Sequence, residues 1–472
     1  MSKVTRSARS SFTLSMNAVL SGFERVLIGY DPDPAYETIL DFRNGEVLTR
    51  RDLTESMLVV ASVNKGKTSL LRTPARAMLR DGFGGLVLVV KGSLVDNFTE
   101  FARAEGRERD LIVLRPGGGH GFNPLENETD PAEAAALLAE LSDALCEKKH
   151  DGMNESFWRE QLAIILRNVL TICQAAHGRM NLLLAAELFD GRAMSIAEVS
   201  DPIWRESSAL ARAMAVVKQH GGDTQVADAV VYFSRTFPTL GDRLQGSLVA
   251  TVSTVFDHLR RPPLRGLFTG KSTFSIDDLL ELGKVCIVAL PVLDSAAGRV
   301  ANALMQFCFC REAVRRPRAN YSFLIADECQ EFVTRELMGK LAVLREYKVA
   351  SILLTQNLAV LDERIGESAR EGLCGLLGTK IFGPQGHAAT RQWASEQIGK
   401  CKVPVRTNTK GRSRGENSSS ISESEQWDYR VPPIRFAELG VGHTIVLRDG
   451  RVWRSRWHLS KPGKRGTVKI VP

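Results

Sequence analysis

Val59-Val60-Ala61-Ser62-Val63-Asn64-Lys65-Gly66-Lys67-Thr68 joins an apolar run to a Gly-Lys-Thr triplet. The pattern predicts a buried strand, then a loop whose backbone N–H groups cradle phosphates at the N-terminus of the next helix. Ala61, Ser62, Val63, Asn64, Lys65, Gly66, Lys67, Thr68 and Ser69 are therefore the candidate nucleotide-binding residues. Among them Lys67 suits the β- and γ-phosphates and the Thr68 hydroxyl suits Mg²⁺. Far along the chain, Phe323-Leu324-Ile325-Ala326-Asp327-Glu328 ends a second apolar run on paired carboxylates. Asp327 suits the metal, and Glu328 suits orienting or deprotonating an attacking water. In this order the stretches imply hydrolysis of a nucleoside triphosphate with Mg²⁺.

Each stretch alone has a plainer reading. The first can be a lysine-containing turn after a strand, and an Asp-Glu pair is often a solvated strand end. Ala61 stands where such loops usually begin with Gly, which is acceptable if the backbone there avoids positive φ. Pro74 falls inside the expected helix and predicts a kink or an early end, because it lacks an N–H and crowds the carbonyl of Leu70.

A chain of 472 residues suggests two or three domains. At 44% hydrophobic and 25% charged residues, it is neither disordered nor membrane-resident as a whole. The formal charge of +8 favours an anionic partner only weakly over so long a chain. The eight cysteines lack the paired spacing that holds zinc and read as small core residues of a reducing cytoplasm. Cys329 follows the carboxylates directly and reads as packing. No apolar run is long enough to cross a bilayer. Lys3, Arg6 and Arg9 precede Phe12 to Leu20, a polar-interrupted segment that is no signal peptide and reads as a frayed tail or a basic arm.

Continuous apolar runs at Met57 to Val60, Leu86 to Val90, Leu111 to Leu114, Val285 to Leu290, Phe323 to Ala326, Ala350 to Leu354 and Lys380 to Phe382 suit a parallel sheet buried on both faces. Between them, helical periodicity dominates, with Trp158, Leu162, Ile165, Val169 and Cys173 on one face. The expected fold class is α/β, a core with a mainly parallel sheet and an inserted all-helical domain. The expected division is a leader at 1–50, a nucleotide-binding motor domain at 51–130 and 268–472, and the helical insertion at 131–267. Within the motor, 408–425 is rich in Ser, Gly, Arg and Glu and reads as a flexible loop. His443 to Leu447 and Arg451 to Leu459 read as a hairpin around Asp449-Gly450. In its second arm Trp453, Trp457 and Leu459 share one face, and Arg454, Arg456 and His458 the other. That is a sheet edge or a nucleic-acid grip.

From about Leu58 to Leu447 the chain resembles the conjugative coupling proteins of type IV secretion, the TraG/TraD type, within the FtsK/HerA group of RecA-like motor ATPases. The resemblance rests on the two nucleotide stretches and an ordered series between and after them. The series runs through Phe122-Asn123-Pro124-Leu125, Phe157-Trp158, Gly283-Lys284 before Leu290-Pro291, and Leu354-Thr355-Gln356-Asn357. It closes on Gly378-Thr379-Lys380-Ile381-Phe382 and Ala388-Ala389-Thr390. The resemblance implies that Gln356 senses the γ-phosphate and that Arg345 is an arginine finger offered to a neighbouring subunit, with Arg364 a weaker substitute. It implies a homo-hexameric ring that pumps single- or double-stranded DNA, with a relaxase or secretion-channel proteins as partners. Val89-Val90-Lys91-Gly92-Ser93 lacks the acidic residue that the family commonly places before Lys-Gly. The expected membrane helices are also missing, which implies a cytoplasmic protein that meets the inner membrane only through a partner or serves a soluble process. Competing readings are an ATPase receptor for protein effectors and an ATP-controlled scaffold on DNA in defence.

Overall fold

The computed structural model describes residues 33–41, 46–63, 65–145, 155–221, 223–293, 295–413 and 416–456. Asn64, the basic N-terminal segment through Leu20, and Trp457, His458 and Leu459 lie outside them. A short antiparallel pair, β1 (Thr38–Asp41) and β2 (Val47–Thr49), precedes the central sheet. That sheet is built from β3 (Met57–Val60), β4 (Gly84–Leu88), β5 (Leu111–Leu114), β6 (Val285–Val288), β7 (Ser322–Ala326), β8 (Val349–Thr355) and β9 (Thr379–Phe382). All of these pair in parallel. A second two-stranded sheet, β10 (Lys400–Ser413) with β11 (Glu416–Tyr429), stands apart from it. Antiparallel β12 (His443–Arg448) and β13 (Arg451–Arg456) close one edge, so the order is β13-β12-β9-β3-β8-β7-β4-β6-β5.

The expected continuous apolar strands reflect burial from both sides. Val59 and Ile325 face a core shared with Leu70, Leu71 and Met78 of the Lys67–Arg80 helix and with Phe98 of the Ser93–Ala104 helix. Leu58 and Leu324 face a second core, to which the Ala296–Arg315 helix contributes. This is the α/β fold of a RecA-like P-loop core.

Between β5 and β6 every regular element of the described residues is a helix, from Pro131–Leu145 through Glu155–His177 and Asp242–Arg260 to Ile276–Leu280. Trp158, Leu162, Ile165, Val169 and Cys173 are all buried, as their spacing predicts. Their core runs without a break into the one beneath the sheet. Lys340 Nζ also meets Glu140 Oε2 at 3.0 Å, and Arg311 meets Glu128 at 3.0 Å, pinning the first of these helices and the loop before it to the sheet's helical cover.

Two expectations need correction. The helix does not end at Pro74 but runs on to Arg80. Pro74 is buried among Leu70, Leu71, Ala75 and Met78, and apolar packing on the sheet offsets the lost N–H. Within 408–425 the described residues are not a loop: 408–413 lie in β10 and 416–425 in β11, paired residue for residue from Lys400↔Tyr429 to Ser413↔Glu416. Backbone hydrogen bonding needs no apolar anchor, so a polar, Ser-rich composition did not reveal the ladder. The Asp449-Gly450 turn falls where expected, with left-handed φ values of 47° and 72°. Trp453 points inward while Arg454 and Arg456 are exposed, the sheet-edge arrangement.

Six of the cysteines, Cys173, Cys286, Cys308, Cys310, Cys329 and Cys374, are buried and unpaired by disulfides. Burial pushes the Cys329 thiol well up, in keeping with packing rather than nucleophilic use.

Candidate nucleotide site

Strand register assembles the site. Val60 at the end of β3 pairs with Thr355 on one side and Phe382 on the other, while Ala326 of β7 pairs with Leu353. The residues that follow these strands therefore emerge together at their carboxyl ends, where ligands of open α/β sheets collect. They are Ala61, Asp327 with Glu328, Gln356, and Gly383.

Gly66 caps the Lys67–Arg80 helix in the left-handed region at φ 87°. A Cβ there would be strained and would stand 3.1 Å from Val441 Cγ1. Lys67 turns back over the strand ends. Its Nζ lies 3.2 Å from Asp327 Oδ1 and 2.5 Å from Glu328 Oε1. Gln356 donates from Nε2 to Glu328 Oε1 at 2.7 Å, and Gln330 donates to Glu328 Oε2 at 3.1 Å. Glu328 itself adopts φ 53°, a rare backbone state for a side-chain-bearing residue and one that concentrates at functional sites.

Asp327 and Glu328 are 7% and 4% exposed, so they are not a solvated strand end. Burial works to raise the Glu328 carboxyl, but the Lys67 charge and the hydrogen bonds from Lys67, Gln356 and Gln330 outweigh it and hold it below its ordinary value. Glu328 is thus ionised here. Lys67, Asp327 and Glu328 carry one formal negative charge in excess, in a nearly dry setting.

This donor set fits a magnesium-bound triphosphate. Among the described residues no cluster of three or more His, Cys, Asp or Glu could hold a metal alone. Mg²⁺ is typically held by one or two carboxylates together with substrate phosphates, and Asp327 with the Thr68 hydroxyl provides protein oxygens of that kind. The left-handed Gly66 leaves the backbone open to phosphate oxygens.

The other expected residues distribute as follows. Ala61 is buried, its N–H bonded to the Thr355 carbonyl, while Val63 and Lys65 are exposed at the loop tip and Thr68 and Ser69 are half-buried. Arg345 is exposed at the C-cap of the Arg335–Leu344 helix and has no hydrogen bond or ion pair to the Lys67 cluster. Arg364 is held by Glu331 at 2.8 Å. Lys91 is exposed after β4.

Sequence reasoning passed over Gln330 and Gln385. The signal for Gln385 was a lone amide in Gly383-Pro384-Gln385-Gly386, directly after a strand end. Gln385 is buried, and it accepts from Ser62 Oγ at 2.9 Å while donating to the Gln356 carbonyl at 2.9 Å.

A family model described as the TraM recognition site of TraD and TraG matches residues 322–439. Among solved structures, the plasmid coupling protein TrwB with ADP and Mg²⁺ superimposes with a TM-score of 0.63 at 16% identity, covering 93% of this chain and 91% of that one. TrwB with a non-hydrolysable GTP analogue gives 0.62 at 16% identity, covering 93% and 92%. VirB4 of Thermoanaerobacter pseudethanolicus gives 0.51 at 13% identity, covering 90% and 96%. At such identities the likeness is one of fold. Comparison with curated proteins by sequence finds no match. The chain is thus similar to the TraG/TraD-type conjugative coupling proteins, by sequence across the segment from β7 to the turn before β12 and by fold across nearly its whole length.

Proposed function

We propose that this chain is the subunit of an ATP-hydrolysing ring motor that couples DNA or nucleoprotein to a type IV secretion or conjugation apparatus and pumps it. The observation that carries this reading is Lys67 Nζ lodged between Asp327 and Glu328, with Gln356 on the same Glu328 oxygen. A phosphate-loop lysine, a metal-type aspartate, a water-type glutamate and a sensor-type amide then occupy one buried site.

In the proposed cycle ATP seats its phosphates against the backbone of Ala61 to Ser69, and Lys67 exchanges its carboxylate partners for phosphate oxygens. Glu328 loses the charge that holds it acidic, becomes more basic, and positions the attacking water. Thr68 and Asp327 would hold Mg²⁺, which would supply charge neutralisation to the triphosphate. Gln356 reports the γ-phosphate to the rest of β8. Arg345, exposed and uncommitted to this site, completes the neighbouring subunit's site in a homo-hexamer. The exposed, solvent-facing position is the one that role requires. TrwB binds ADP with Mg²⁺ and nucleotide analogues, which supports ATP and Mg²⁺ as ligands here.

The motor domain would comprise 51–130 and 268–472, and the helical insertion 131–267, with 1–50 as a leader. The continuous core between helices and sheet supports rigid transmission from the site to the insertion. The family description of the matched segment supports a protein partner there, alongside relaxase or channel proteins. Among the described residues no helix is long and apolar enough to cross a membrane.

Steady-state ATPase assays against protein concentration, with and without single- and double-stranded DNA, test the reading. A rate per subunit that rises with concentration and with DNA is expected. Stimulation by a protein partner and not by DNA would move the cargo to protein effectors, and slow hydrolysis indifferent to both would favour a scaffold. Glu328→Gln turning over normally would remove the catalytic assignment altogether.

A further inference from the structure

The polar contacts around the phosphate loop close into a ring. Ser62 Oγ donates to Gln385 Oε1 at 2.9 Å, and Gln385 Nε2 donates to the Gln356 carbonyl at 2.9 Å. Gln356 Nε2 donates to Glu328 at 2.7 Å, and Glu328 meets Lys67 at 2.5 Å. The chain from Lys67 back to Ser62 completes the circuit. Gln385 is the member that touches neither phosphate-type nor water-type residues through their reactive atoms, yet it joins the loop's entry to the backbone of the sensing strand.

Several features show that this amide is built in rather than incidental. It is only 4% exposed. Its oxygen accepts a second bond, from the His387 N–H at 2.9 Å, so both lone pairs are engaged. Its own N–H donates to the Phe436 carbonyl at 2.9 Å, tying it to the Pro433–Ala437 helix. Ser62 is bound on its backbone side too, its N–H donating to the Pro384 carbonyl at 3.0 Å while Gly386 N–H donates to Ser62 Oγ at 2.9 Å. The same helix leads into Val441, whose side chain stands beside Gly66. A buried amide left without one partner has no solvent to replace it, so the register between loop and strand is strongly held.

We infer that Gln385 is a positioning residue that locks the phosphate loop at Ser62 to the Gln356 end of β8, so that occupancy of the loop and placement of Gln356 against Glu328 change together. This inference rests on the ATPase reading of the site. In it, Gln385 acts on turnover and not on nucleotide capture. Phosphate contacts come from the loop backbone and Lys67, whereas alignment of Gln356 and Glu328 matters when water attacks. A displacement of about 1 Å at a reacting group can cost up to about a hundredfold in rate.

The test uses the full chain in four forms: wild type, Gln385→Leu, the milder Ser62→Ala, and Gln356→Ala, with the corresponding double variants. Nucleotide dissociation constants are read with a fluorescent ATP analogue, kcat and KM from steady-state hydrolysis, and folding from thermal melting. Gln385→Leu should lower kcat by about tenfold or more while the dissociation constant stays within about threefold. Ser62→Ala should lower kcat in the same sense and by less, and it keeps the test open if the leucine variant fails to fold. The Gln385→Leu/Gln356→Ala pair should lower kcat by clearly less than the product of the single effects, because both act on one alignment.

A purely structural role would instead lower melting temperature and leave kcat per folded subunit unchanged, which overturns the proposal. So would additive effects in the double variants. Lys67→Ala and Glu328→Gln serve as controls on the site itself. If they turn over normally the ATPase reading falls first; if they are inactive and the Gln385 and Ser62 variants keep wild-type kcat, the positioning role alone falls.

Discussion

The strand ends around Lys67 and the β10–β11 hairpin are held together by opposite means. At the strand ends, Lys67, Asp327, Glu328, Gln356 and Gln385 are joined through side chains in a setting nearly closed to water. In the hairpin, a ladder of backbone pairs runs from Lys400↔Tyr429 to Ser413↔Glu416, and ion pairs such as Lys402–Glu425 at 2.9 Å lie in water. Buried polar bonds have no solvent substitute and permit one arrangement. A backbone ladder with exposed side chains tolerates most substitutions, since surface pairs add little. The first region therefore holds one fixed polar arrangement, and the second tolerates change.

The contrast sets an order of effects. Glu328→Gln should reduce kcat by about a hundredfold to a thousandfold while ATP still binds, the loss typical of removing a group that acts in the transition state. Single-turnover hydrolysis alongside an equilibrium binding assay checks it, and unchanged kcat would move the chemistry elsewhere. Lys67→Ala should abolish hydrolysis. It should also destabilise the nucleotide-free protein by about 3 kcal/mol, because Asp327 and Glu328 are left buried without a cation. Chemical denaturation measures this.

Acid provides a subtler probe of the same cluster. The Glu328 carboxyl sits below its ordinary value of 4.5 in the folded protein, so its contribution to stability is complete above that value and is lost as pH falls through the lower folded value. The stability difference between wild type and Glu328→Gln should therefore hold steady from neutral pH to about 5 and shrink below about 4.5. A difference that grew on acidification would mean that the carboxyl is raised rather than lowered.

The smallest effects belong to the hairpin and the helix surface. Val403 and Gln426 are partners in the ladder, so replacing 404–425 by Asn-Gly leaves a two-residue turn of the favoured kind. Basal ATPase and melting should stay near wild type, with stability altered by no more than about 0.5 kcal/mol. Global unfolding of the shortened protein would show that the hairpin belongs to the core. Arg364→Ala breaks a surface pair with Glu331, and its effect on stability should be within about 0.5 kcal/mol by denaturant titration.

Much of this was visible along the chain. The strand at Met57–Val60 coincides with its apolar run, because a strand covered on both faces admits no polar interruption. Asp327 and Glu328 were visible as carboxylates at a strand end, and Gln356 as an amide at another. The long path of the helix past Pro74 was not, since local breaking propensity was overridden by burial of the same residue. The β10–β11 ladder was hidden by composition.

The sequence by itself determined the sheet, its buried strands and the residue types that handle a triphosphate, because periodicity and short motifs are local properties of the chain. Tertiary structure alone decided the register that places Ala61, Asp327, Gln356 and Gln385 at one level, the turn of Lys67 onto both carboxylates, and the closed ring through Ser62. The reason is distance along the chain. Contacts between strands far apart in sequence depend on how the whole sheet pairs, and no local pattern encodes which amide will reach which carbonyl.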